Sequence, residues 1–82
     1  VRSRSIGAHL GESTVANALK EIQDQYPDID LGSYPFFRKD GYGTSLVMRG
    51  TDTKALDKMK EEVRQMIVDF GAEPFEEGDP RV

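Results

Sequence analysis

Leu56, Met59, Val63, Ile67 and Phe70 step along the chain by 3, 4, 4 and 3 residues. That spacing places them on one stripe of an α-helix. A helix with such a stripe must bury it against another element, so the chain has to build a layered core. Lys58, Glu61, Glu62 and Gln65 form the wet side of the same helix. Asp52 or Thr53 is the expected N-cap, since either side chain can accept an orphan backbone N–H. Gly71 stands where a left-handed C-terminal cap belongs.

A second stripe lies upstream. Val15, Leu19, Ile22 and Tyr26, with Ala18 beside them, predict a helix capped by Ser13 or Thr14 and stopped by Pro27. Three strands surround the two helices. Residues 1–6 form the first, ended by Gly7. Residues 29–37 form the second, where Pro35 demands an edge position or a bulge because it cannot donate to a ladder. Arg38-Lys39-Asp40-Gly41 supplies turn chemistry, and Asp-Gly is a strong hairpin signal. Residues 42–49 form the third strand, whose consecutive Leu46, Val47 and Met48 imply that both of its faces are covered.

The order is β-α-β-β-α. A crossover lays strands one and two parallel, and the hairpin turns strand three against strand two. With the apolar strand three in the middle, the spatial order is 1-3-2. The expected fold is a small two-layer α/β (α+β) sandwich, a three-stranded mixed sheet with both helices on one face. Residues 1–75 make one domain. Residues 76–82 make an acidic tail, expected to be disordered after a short extended piece near Glu73–Phe75.

Composition removes several functions. Cys is absent, which excludes disulfides, thiolate zinc sites, iron–sulfur clusters and cysteine nucleophiles. It also fits a cytoplasmic location. A single His excludes any site that needs two. The net charge of −4 argues against nucleic acid as a partner. No apolar run is long enough to cross a membrane, and residues 1–5 lack the apolar stretch of a signal peptide. The chain starts at Val1 rather than Met, so we expect a segment of a longer protein.

Few residues suggest chemistry. His9 invites a general-base reading, but a surface loop His needs fewer assumptions. Asp28 and Asp30 alternate on a strand, without the loop spacing of a calcium site. Gly41-Tyr42-Gly43-Thr44 precedes a strand, not a helix, so no helix N-terminus faces a phosphate there. Gly7 and Gly11 are four apart and do not make the Gly-x-x-Gly clamp of nucleic-acid-binding KH domains. Met48, Met59 and Met66 read as core. Catalytic and metal residues are therefore expected to be none. The hairpin resists a bland reading. Tyr34, Phe36, Phe37 and Tyr42 cluster there beside Arg38, Lys39 and Arg49. They are candidates for core, for a protein interface or for stacked bases. Tyr34 and Phe36 share one side of their strand and Phe37 takes the other, and one of these sets is expected to fill the core.

The runs Gly32-Ser33-Tyr34-Pro35-Phe36-Phe37 and Gly43-Thr44-Ser45-Leu46-Val47-Met48-Arg49-Gly50-Thr51-Asp52 carry a resemblance. Ser3-Arg4-Ser5-Ile6-Gly7-Ala8 leading into Glu12, and Ile22-Gln23 ahead of Tyr26-Pro27-Asp28, extend it to about residues 2–75. Together they resemble the C-terminal segment of bacterial molybdopterin-binding proteins, relatives of competence/damage-inducible protein A. The resemblance implies a KH-like topology and a larger N-terminal molybdopterin-binding domain as partner. It implies a noncatalytic accessory domain that packs on that neighbour or self-associates. Any molybdopterin or nucleotide would belong to the parent, with no cofactor in this segment. The alternatives are a KH-like RNA-binding module and a fragment at the edge of a nucleotide pyrophosphatase site.

Overall fold

The computed structural model describes residues 2–39 and 41–76. The elements are β1 (Arg2–Ala8), α1 (Glu12–Gln25), β2 (Asp30–Arg38), β3 (Gly41–Gly50), α2 (Thr53–Asp69) and β4 (Phe75–Glu76). The expected order and the 1-3-2 arrangement of the first three strands are both present. Two-residue β4 adds to the outer side of β1, so the sheet runs β2-β3-β1-β4. Every neighbouring pair is antiparallel. β1 and β2 do run the same way, but β3 lies between them. The ladders are therefore of one kind, where a mixed sheet was expected.

Register explains the core. Ile6 lies opposite Leu46, Ala8 opposite Thr44, and Leu31 opposite Met48. Alternation along each strand sends these side chains to one face. There they meet Val15, Leu19 and Ile22 of α1 and Leu56, Met59, Val63, Met66 and Ile67 of α2. Arg4, on the same face, reaches Asp57 of α2 at 2.8 Å. Met48, Met59 and Met66 are core, as expected. Val47 is buried too, although it points to the face without helices, between Ser5 and Gly32. Both faces of β3 are thus covered at its centre.

Several boundaries differ from the sequence expectation. Gly7 does not end β1; it pairs with Ser45 on one side and Phe75 on the other, and the strand continues to Ala8. The N-cap of α1 is Gly11, not Ser13 or Thr14. Its extended backbone offers a carbonyl to Thr14 N–H at 3.1 Å, with no side-chain cap. Three residues join β1 to α1, so the helix must begin early. Asp52 does cap α2, accepting from Lys54 N–H and Ala55 N–H at 3.0 and 3.2 Å.

Gly71, at φ +84°, closes α2 as expected. Ala72 N–H reaches the Ile67 carbonyl and Gly71 N–H the Val68 carbonyl, the paired bonds of a Schellman motif. This stop leaves Phe70 as the C-cap residue, exposed rather than in the core. Met66 fills the inner position instead. The short extended piece near Phe75 is β4. The tail from residue 77, and with it the expectation of disorder, lies outside the described residues, as does Asp40 of the hairpin turn. Arg38 pairs with Gly41, whose φ of +126° only glycine adopts without strain.

Candidate functional site

The helices leave one sheet face bare, and the hairpin aromatics divide between its two sides. Tyr34 and Phe36 point to the bare face. Phe37 points to the helix side but lies beyond the helices, across from Tyr42. Neither set fills the core, contrary to expectation. Phe37 is 86% exposed and Tyr42 60%. The reason is length: β2 and β3 run past the N-terminal end of α1, so the last residues of the hairpin have no helix beneath them.

Glycine makes room for the rings that stay on the sheet. Tyr34 folds back over Gly32, where an added Cβ would sit 3.1 Å from its ring. Phe36 lies over Gly43. A Cβ there would strike the Ala8 carbonyl oxygen and come 2.6 Å from Phe36 Cζ. Phe36 meets Phe75 of β4 at 6.0 Å between ring centroids, and the His9 ring closes the triangle at 5.8 and 5.4 Å. These are edge-to-face and tilted contacts of the kind aromatic rings prefer.

His9 has a structural task. Its Nδ1 lies 3.0 Å from the Tyr42 carbonyl oxygen. A carbonyl only accepts, so Nδ1 carries the proton in this contact. Thr44 Oγ1 donates to the Leu10 carbonyl at 2.9 Å. Both bonds tie the β1–α1 connection to the base of the hairpin. On the other side of His9, a cleft lined by Arg64, Val68, Pro74 and Phe75 leads to the last turn of α2. Val68 is exposed there, and Phe70, the C-cap residue of α2, is exposed as well.

The candidate residues therefore collect unevenly. Phe36, Phe37 and Tyr42 gather at one end of the molecule with His9, Phe75, Val68 and Phe70. Tyr34 lies further along the bare face. Arg49 stands exposed two residues beyond Val47 on that face, opposite Asp30 and away from the cluster. The side chain of Arg38 lies outside the described residues. Sequence reasoning missed Phe75, Val68 and Phe70 as members of this end. An aromatic at 75 was visible, but not the pairing of Gly7 with it.

The arrangement offers apolar contact area. Asp28 and Asp30 are exposed, and among the described residues no group of three or more His, Asp or Glu side chains is placed to hold a metal. No helix among the described residues is long and apolar enough to cross a membrane. One titratable group outside this end is displaced. The Tyr26 hydroxyl is pushed up to about 12 by burial, and by its hydrogen bond to, and the charge of, the Glu62 carboxylate of α2.

Fold and surface define a small α+β domain whose exposed large apolar side chains, among the described residues, lie at one end. A family model described as FAD synthase, middle domain, matches residues 1–74. The chain belongs to that family. No curated protein and no solved structure matches it.

This overturns the likeness to molybdopterin-binding proteins and competence/damage-inducible protein A. It also overturns the assignment to a molybdopterin-binding parent, and with it the molybdopterin-binding partner domain drawn from that likeness. Neither the RNA-binding module nor the pyrophosphatase fragment is better supported. The physical reason lies in what the shared runs do. Gly32 to Phe37 is an edge strand with a glycine under a tyrosine, and Gly50-Thr51-Asp52 leads into a helix cap. Hairpin and cap chemistry of this kind recurs wherever such elements meet, so it specifies local structure and not ancestry.

Proposed function

We propose that this domain is a noncatalytic part of a FAD synthase, and that it docks on a neighbouring domain of that protein through its apolar end. The observation that carries this reading is the exposure of Phe37 and Tyr42, paired across the hairpin, together with Val68 on the far side of His9 and Phe70 at the end of α2. Exposed apolar side chains grouped in this way mark contact surfaces. A domain described as the middle one has chain on both sides to meet. His9 is engaged with the Tyr42 carbonyl and two rings, which supports a structural task for it rather than proton transfer. The domain holds no cofactor of its own on this reading, and it works in the cytoplasm, as its lack of Cys fits.

The test has two arms. The 82-residue chain is incubated with FMN, ATP and Mg²⁺, and FAD formation is followed by fluorescence. No turnover above a blank is expected, and turnover lost on His9→Ala would overturn the noncatalytic reading. In a FAD synthase that contains this domain, Phe37→Ser with Tyr42→Ser should expose the domain junction to limited proteolysis. An unchanged cleavage pattern would overturn the docking reading.

A further inference from the structure

Among the described residues no strand lies beyond β2, and a free strand edge invites pairing with another chain. Along a strand, the backbone groups of alternate residues point away from the neighbour. Leu31 N–H is one of the outward groups, because it donates to Gln23 Oε1 at 2.8 Å. Ser33, Pro35 and Phe37 share that outward position, since β2 pairs with β3 without a break from Asp30 to Arg38.

Gln23 comes from α1 and spends its whole carboxamide here. While Oε1 accepts from Leu31, Nε2 donates to the Ile29 carbonyl at 2.5 Å and to the Tyr26 carbonyl at 3.0 Å. Accepting from one residue and donating to the carbonyl two residues earlier is what a residue of an added parallel strand would do. Pro35 removes the next outward donor but one, because proline has no N–H. Of the four outward positions from 31 to 37, only Ser33 and Phe37 still offer a donor.

We propose that Gln23 is an edge guard. Its carboxamide stands in for a neighbouring strand at the start of β2 and, with Pro35, keeps a second copy of this chain from adding there. The inference is independent of the docking end. The rival explanation is that Gln23 only staples the end of α1 to the start of β2. A staple contributes stability and leaves the association state alone.

Two substitutions separate these. Gln23→Met keeps the length and removes all three hydrogen bonds. Gln23→Lys disturbs the same bonds but leaves a charge at the edge, which a second strand would have to bury. Sedimentation velocity of the 82-residue chain should show concentration-dependent self-association for Gln23→Met and not for Gln23→Lys. Under dilute conditions, the Leu31 amide of Gln23→Met should exchange about tenfold faster than in the parent, the loss of one hydrogen bond. If both variants stay monomeric, or both associate alike, the guard is overturned. A further measurement does not depend on any variant folding. In the parent, Leu31 should be protected from exchange while Ser33 and Phe37 are not, at every concentration. Protection of Ser33 and Phe37 that grows with concentration would show that the edge is not guarded.

Discussion

Gly43 shows how closely a single residue can be specified by its surroundings. It lies under Phe36, and an added Cβ would strike the Ala8 carbonyl and sit 3.1 Å from His9 Cα. Two of those neighbours are backbone and cannot rotate away. Gly43→Ala should therefore destabilise the domain by roughly 1–3 kcal/mol, the range for overpacking a buried position. Thermal unfolding checks it, and an unchanged melting temperature would show that β1 shifts freely. Tyr26 makes a second prediction, in pH. Its hydroxyl ionises near 10 when unfolded and near 12 when folded. A raised value means that the folded state favours the protonated form. The contribution is complete below pH 10 and is lost as pH rises from 10 to 12. Tyr26→Phe should flatten that loss in denaturant midpoints measured across this window. An identical alkaline decline in parent and variant would remove Tyr26 as its cause.

At the scale of the element, α2 carries most of the fold. Leu56, Met59, Val63 and Ile67 are all fully buried. Val63→Asp places an unpaired charge among them, at a cost of several kcal/mol. Against about 5 kcal/mol for a small domain, that unfolds the chain. Far-UV circular dichroism should show loss of helix, and a retained parent melting temperature would place Val63 on the wrong face. The start of the helix is worth less. Asp52→Ala removes two hydrogen bonds to the first turn and should cost about 1 kcal/mol. Phe70→Ser should be nearly neutral in thermal unfolding, because that ring belongs to the exposed C-cap residue. β4 contributes little length, but it delivers Phe75 to the ring cluster over the sheet.

The whole molecule has a polarity that no element has by itself. α2 ends, β1 ends and the β2–β3 hairpin closes at the same end, because β1 is antiparallel to β3 and the Schellman stop of α2 hands the chain to β4 beside β1. Apolar side chains that are scattered in sequence, at 37, 42, 68 and 70, are exposed together there. Phe37→Ser with Tyr42→Ser should leave the melting temperature of the isolated chain within about 2 °C of the parent, since exposed positions change stability little. A large drop would mean that the hairpin end is part of the folding core and not a surface held for a neighbour.

The two helices, the three long strands and the 1-3-2 order were readable from the chain itself. Apolar spacing, a proline and glycines at turns report on local backbone and on which face is buried, and those are set by near neighbours in sequence. The resemblance to molybdopterin-binding proteins was read from the same kind of local signal, which is why it misled. The tertiary structure decided what local signals do not contain. Phe36 and Phe37 are adjacent and chemically alike, yet one lies over Gly43 and the other projects into water. The difference depends on how far the hairpin outruns α1. Phe70 continued the helical stripe in sequence, but the cap at Gly71 ended the helix before that residue reached the core. Gln23 sat on a helix as one more polar side chain. Only when α1 was laid beside β2 did its carboxamide meet Leu31 and Ile29, because strand edges are made by the sheet and not by the strand.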